Sequence, residues 1–160
     1  MHVVSVNVGL PRNVVWKGMR VQTGIFKEPV DGRVSIRKLK LTGDQQADLT
    51  VHGGAAKAVY AYPAEHYEYW RKKLPEVSFS WGKFGENLTT AGLTEVALCI
   101  GDRLRIGTAV LMVTQPRMPL LQIGSTFRPR RHHQELLDQP AKRVLLLGRR
   151  RRSSPGGIGG

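Results

Sequence analysis

Residues 95–113 read EVALCIGDRLRIGTAVLMV. The stretch divides into EVALCI (95–100), RLRIG (103–107) and AVLMV (109–113), separated by Gly101-Asp102 and Gly107-Thr108. Short runs rich in Val, Ile and Leu, broken by such pairs, have the spacing of a β-meander. AVLMV holds no polar residue, the pattern of a strand covered on both faces. The same punctuation recurs on the N-terminal side. HVVSVNV (2–8) is Val-rich, VSIRKLKL (34–41) follows the turn pair Asp31-Gly32, and AVYAY (58–62) follows Gly53-Gly54. A single helix stands out. Pro63 suits its first turn, AEHYEYWRKKL (64–74) puts Tyr67, Trp70 and Leu74 on one face, and Arg71, Lys72 and Lys73 suit its C-terminus before Pro75. Several short strands with one helix predict a mainly β, barrel-like domain with minor α content.

Composition limits the function classes. The chain has 160 residues, enough for one domain with its own core. Its one cysteine, Cys99, rules out an internal disulfide and suits a reducing, cytoplasmic setting. Cys99 reads as a small buried apolar residue. No stretch has the length of a membrane span, and the N-terminus lacks the pattern of a signal peptide. The net charge of +13 is unevenly spread: residues 128–160 carry nine Arg/Lys and two acids, against sixteen and ten in residues 1–127. The body is therefore moderately basic, and a short Arg-rich tail produces most of the extreme value. Such a tail is the one feature that points towards nucleic acid; the body has no helix-turn-helix or zinc-finger spacing, which ranks that partner last.

Four stretches can carry chemistry. In TGIFKEPVDG (23–32), Lys27 taken alone reads as a solvated loop lysine. In LTGDQQADLTVHGGAAKAVYAYP (41–63), Gly43-Asp44 is a turn, while His52, Gly53 and Gly54 put a titratable ring beside two residues that let backbone N–H groups approach a ligand. Lys57 follows, and the same Gly-Gly also reads as a plain hairpin. His52 has no second ligand at metal-binding spacing. WGKFGENLTTAGL (81–93) presents Glu86 and Asn87 among glycines, either near a ligand or in a surface loop where Asn87 bonds its own backbone. VTQPRMPLLQIG (113–124) presents Gln115, and holds Arg117 between Pro116 and Pro119, which have no N–H to continue a strand ladder; the expected result is a rigid, irregular turn, a mount for a guanidinium that binds phosphate or carboxylate.

GIFKEPV, LTGDQQAD, HGGAAKAVYAY, FGENL, IGD and QPRMP, in this order, resemble the MOSC domain (molybdenum cofactor sulfurase C-terminal domain), in its small stand-alone bacterial form, over residues 1–127. The resemblance implies a β-rich barrel-like fold and binding of the pterin-type molybdenum cofactor. It also implies N-hydroxyl reduction or sulfur transfer, with a small N-hydroxylated substrate and an electron-donor protein as partners. Pyridoxal phosphate binding is associated with the family only at family level. Arg117 would face the cofactor's phosphate or the metal's oxo groups. Lys27, His52, Gly53, Gly54, Lys57 and Gln115 would complete the anion site, and Glu86 and Asn87 would hydrogen-bond the pterin.

Two departures qualify this expectation. The family pattern QPRxPC ends in a cysteine, and here that position is Leu120, which has no lone pair to offer a metal or a sulfur. Ala55-Ala56 also stands where many relatives have Pro and an acid. The implied outcomes are an enzyme with another ligand, or a binding module without the covalent step. The second departure is the tail, residues 128–160. It has little β pattern and no family resemblance. Codons permitted for it, displaced by one base, can spell a helix and strand of the family's kind. A frameshift near Arg128 and a genuine basic, Gly-rich extension are the two readings. The first predicts a tail with little contact to the body, in which the one apolar run, Val144–Leu147, docks loosely or favours aggregation, and a domain lacking its native C-terminal elements.

Overall fold

A computed structural model describes residues 1–16, 18–37, 40–47, 58–117 and 144–149. The elements are β1 (His2–Val8), β2 (Arg12–Trp16), β3 (Met19–Thr23), β4 (Glu28–Pro29), β5 (Val59–Pro63), α1 (Ala64–Lys73), β6 (Leu88–Ala91), a 3-10 turn at Glu95–Ala97, β7 (Arg103–Ile106), β8 (Ala109–Arg117) and β9 (Val144–Arg149). Seven strands form one sheet in the order β4-β1-β6-β5-β9-β8-β7, and β2 and β3 form a separate hairpin. Every neighbouring pair is antiparallel except β5 and β6. A parallel pair needs a crossover, and α1 supplies it between them. The expectation of a mainly β domain with one helix is met.

α1 begins after Pro63, carries Glu65 in its first turn and ends in Arg71, Lys72 and Lys73. Its predicted apolar face is the one it buries: Tyr67, Trp70 and the following Leu74 are in the core. Alternate residues of β5 point to opposite faces of the sheet. Tyr60 and Tyr62 join Tyr67, Trp70, Phe79 and Phe84 in an aromatic layer, whereas Val59 and Ala61 join Leu88, Leu104, Leu111 and Val113 in an aliphatic one. Tyr67 meets Trp81 and Phe84 edge-on, at centroid distances of 4.7 and 4.8 Å, and the Trp70 indole N–H donates to the Tyr62 hydroxyl at 3.0 Å. The tryptophan and tyrosine polar groups are thereby satisfied inside the layer.

Four sequence expectations need correction. EVALCI is not a strand: it forms the 3-10 turn, and Val96, Cys99 and Ile100 are exposed. The Asp102 carboxylate accepts the Cys99 N–H at 2.8 Å, and a local side-chain bond of this kind competes with a ladder. The meander therefore has two strands, and Cys99 is a surface residue rather than a buried one. The described parts of VSIRKLKL bond to each other, Arg37 N–H donating to Lys40 O and Thr42 N–H to Ser35 O, and they hold the isolated bridge Ile36–Leu41 in place of a strand. AVLMV is fully buried at Leu111 and Val113 and only half-buried at Val110 and Met112, so one face alone is sealed.

The fourth correction concerns the tail. Val144–Arg149 is β9, inserted between β5 and β8 and paired with both. The expected lack of contact with the body does not hold for these six residues. The reason is in their composition: Val144 to Leu147 is an unbroken apolar run, and β5 and β8 each present a ladder edge to it. The boundary near residue 128 lies outside the described residues.

Candidate functional site: a buried polar knot beside the sheet

The sheet register places residues from distant motifs in one transverse row. Asn87 comes just before β6 and continues its ladder on both sides: Asn7 N–H donates to Asn87 O at 2.7 Å, and Asn87 N–H donates to Tyr60 O at 2.7 Å. Asn7 pairs with Pro29, Tyr60 pairs with Leu146, and Leu146 pairs with Gln115. Gln115 is exposed. It stands three strands from Asn87, about 14 Å at the usual strand spacing.

The Asn87 side chain ties this row to the loops beside it. Its Oδ1 accepts the Tyr60 N–H at 3.1 Å, and its Nδ2 donates to Asp44 Oδ2 at 2.9 Å and to Asn7 O at 3.3 Å. Asp44 in turn accepts the Gly9 N–H at 3.0 Å and pairs with the Lys27 ammonium. Both members of that pair are buried, with side-chain exposures of 7% and 2%. The solvated loop lysine read from sequence is corrected by this burial. Desolvation lowers the Lys27 pKa, while the charges of Asp44 and Glu86 and the Asp44 hydrogen bond act against the shift.

Glu86, next to Asn87, is completely buried. Its Oε1 accepts from the Tyr67 hydroxyl, from Gly82 N–H at 2.8 Å and from Thr89 Oγ1 at 2.8 Å. Its Oε2 accepts the Phe84 N–H at 3.1 Å. Burial raises its pKa, and these donors oppose the rise. The loop that carries it needs glycine at position 82. There φ is +84°, and a Cβ would lie 2.6 Å from the Lys27 carbonyl oxygen. Gly9 is equally constrained, since a Cβ would stand 2.0 Å from the Phe26 carbonyl oxygen.

Of the residues singled out in the sequence, the fold therefore brings Lys27, Glu86 and Asn87 into one buried knot and sets Gln115 in the same row of the sheet. The turn expected at Pro116 and Arg117 is corrected: Pro116 pairs with Leu145 and Arg117 with Val144 at the end of β8, past a register shift between Val113 and Gln115, the kind of irregularity where a strand accommodates proline. His52, Gly53, Gly54, Lys57 and Leu120 lie outside the described residues. Sequence reasoning missed Asp44, the acid that joins Lys27 to Asn87. Its signal was present in LTGDQQAD, but a Gly-Asp pair reads first as a turn. Among the described residues, no group of three or more His, Cys, Asp and Glu could hold a metal ion, and no helix is long and apolar enough to cross a membrane.

The arrangement can be set against known proteins. A family model described as "MOSC domain" matches residues 48–156. That span includes Lys57, Gln115 and Arg117, and also most of the segment read as a non-homologous tail. YflK of Bacillus subtilis is 46% identical over 125 residues, covering 78% of this chain and 56% of YflK. A protein named "Reductase" from Gibberella moniliformis is 34% identical over 114 residues, covering 69% of this chain and 20% of its own length. The crystal structure of YiiM from Geobacillus stearothermophilus superposes with a TM-score of 0.64 at 32% identity, covering 92% of this chain and 67% of YiiM. The chain thus spans about half the length of YflK.

Proposed function

The chain belongs to the MOSC domain family, and from that premise we propose that it binds the anionic pterin of the molybdenum cofactor and serves a redox reaction, reduction of a small N-hydroxylated substrate. The observation that carries the reading is the family match over residues 48–156, which spans the segment around His52, Gly53, Gly54 and Lys57 and the Gln115–Arg117 end of β8. A relative named as a reductase favours reduction over sulfur transfer. An electron-donor protein supplies the electrons, in a reducing, cytoplasmic setting.

The donor set divides when tested against the cofactor. The Lys27 ammonium, with Asp44 as its acceptor among the described residues, and the exposed Gln115 amide suit an oxygen-rich anion such as a pterin phosphate. The same chemistry accommodates the phosphate of pyridoxal phosphate. Ligation of the metal by a thiolate at position 120 does not fit, because leucine stands there. When bound, the cofactor supplies two-electron chemistry at molybdenum. Lys27, Lys57 and Arg117 would neutralise its phosphate, and Gln115 would orient it. Glu86 and Asn87 act from the platform beneath, since their side chains are bonded within the protein.

Leu120 specifically favours a second reading, a module that holds the cofactor without turning it over. Both readings require anion binding. Calorimetry of the full chain with the free cofactor or a stable analogue tests it, and Arg117→Ala is expected to weaken binding by about 1.5–3 kcal/mol, the range for a hydrogen bond to a charged group. Equal affinity in the two proteins places Arg117 outside the site.

A further inference from the structure

Lys27 is a buried ammonium with three N–H donors, and among the described residues its one acceptor is Asp44 Oδ1. Asp44 is held independently of Lys27. The Gly9 N–H fixes Oδ1 from the end of β1, and the Asn87 amide fixes Oδ2 from the start of β6. The acid is therefore a rigid post, anchored to two strands, against which a flexible four-carbon side chain is aligned. Asp44 also begins the segment leading towards His52 and Lys57, and Gln45 N–H donates to Gly9 O at 3.0 Å, fastening the start of that segment to the same post.

We propose that Asp44 is a positioning residue of the anion site: it orients the Lys27 ammonium so that its two remaining N–H groups meet an anionic oxygen of the ligand. The inference rests on the anion-binding reading given above. Asp44 does not touch the ligand. It acts by fixing the direction of Lys27 and by keeping it protonated, since among the described residues the charged groups facing Lys27 are Asp44 and Glu86. Removing the Asp44 charge leaves Lys27 desolvated beside one acid instead of two, so that it loses its proton at a lower pH.

Sulfate is a suitable probe because it stays a dianion throughout the range used. Its affinity for the full chain is measured by calorimetry from pH 6 to pH 9.5, for the unaltered protein and for Asp44→Asn. The variant keeps an oxygen to accept the Gly9 N–H. Besides a pH-independent loss, because its amide faces the Asn87 amide donor to donor, it is expected to bind sulfate progressively more weakly than the parent as pH rises through the Lys27 titration, by up to about tenfold for each unit by which that pKa falls. A purely structural role for Asp44 lowers affinity equally at every pH, and that result overturns the assignment. Unchanged affinity at every pH overturns it as well. If the unaltered protein binds no sulfate at any pH, the anion-site reading falls and takes the proposal with it. Should Asp44→Asn fail to fold, an NMR titration of the lysine Cε signals of the unaltered protein decides the matter. Sulfate is expected to raise the Lys27 titration midpoint, and an unmoved midpoint refutes contact with the anion.

Discussion

Asn87→Asp replaces one terminal atom and should convert the centre of the knot from a tie into a wedge. The asparagine oxygen accepts the Tyr60 N–H, and an aspartate oxygen preserves that bond. The amide nitrogen lies 2.9 Å from Asp44 Oδ2 and 3.3 Å from Asn7 O. A carboxylate oxygen in its place donates to neither and confronts a second buried carboxylate at hydrogen-bond distance. With Asn87 only 4% exposed, water cannot relieve the contact. Two acceptors left without donors cost about 1–3 kcal/mol each. An unpaired buried charge costs about 3–5 kcal/mol by comparison with broken buried ion pairs. The two estimates overlap, and a loss of about 3–5 kcal/mol at pH 8 is the expected result.

The loss should depend on pH with a definite sign. Two carboxyls this close share a proton, so the pair's folded-state pKa rises above the unfolded value of about 3.9. A raised carboxyl pKa contributes stability that is complete below the unfolded pKa and is lost as pH rises through the folded one. At acid pH the shared proton takes the place of the amide hydrogen on Asp44, leaving the Asn7 carbonyl as the main loss, about 1 kcal/mol. Urea unfolding followed by circular dichroism at pH 4.5 and pH 8, each compared with the parent at the same pH, measures both values. A typical slope of about 1–3 kcal/mol per molar makes the shift at pH 8 larger than 1 M. A variant that matches its parent at pH 8, or shows the same deficit at both pH values, refutes the reasoning about the Asn87–Asp44 contact.

Other perturbations probe the same framework. Gly82→Ala must accommodate φ of +84° and a Cβ 2.6 Å from the Lys27 carbonyl oxygen, so denaturant unfolding should record a loss of about 2 kcal/mol or more; a loss under about 0.5 kcal/mol means the loop relaxes freely. Thr90 is buried, and its Oγ1 has no hydrogen-bond partner among the described residues. Thr90→Val should therefore be neutral or stabilising by up to about 1 kcal/mol in thermal unfolding, and a clear destabilisation reveals a partner for the hydroxyl. Leu120→Cys, expressed with cofactor synthesis intact, should retain more molybdenum than the parent by metal analysis, whereas stoichiometric molybdenum in the unaltered protein removes the case that Leu120 disables ligation.

How much could be read in advance depends on whether the decisive interaction was local. β1 runs from His2 to Val8, the limits its valines predict, and α1 lies within the span that its aromatic face and basic end predict. Both are set by periodicity within the segment. β6 was not legible, because Leu-Thr-Thr-Ala follows a glycine-rich loop and owes its strand state to the flanking β1 and β5. The β2–β3 hairpin also went unread. Its turn passes through Gly18 at φ +79°, but a Lys-Gly pair lacks the Asn or Asp that marks such turns. The apolar run of β9 is visible in the sequence, but its place between β5 and β8 is not, because the pairing is with strands far away in the chain. Asp44 looked like a turn residue, since nothing near it in sequence discloses that Lys27 and Asn87 are its partners.

The convergence in the knot explains why several weak motifs travel together. GIFKEPV supplies Lys27, LTGD supplies Asp44, and FGENL supplies Glu86 and Asn87; Asn87 then stitches β1 to β5 through its backbone and side chain. These residues meet below the surface, where Asp44, Glu86 and Asn87 find their partners in one another, in Lys27 and in the neighbouring backbone, so each motif depends on the others for its hydrogen bonds. The exposed Gln115 takes no part in that knot. A chain can therefore preserve the platform while changing the chemistry mounted on it. Leucine at position 120 is a change of that second kind: it removes a thiolate from the sequence that follows β8, and the Lys27–Asp44–Asn87 knot keeps its donors and acceptors.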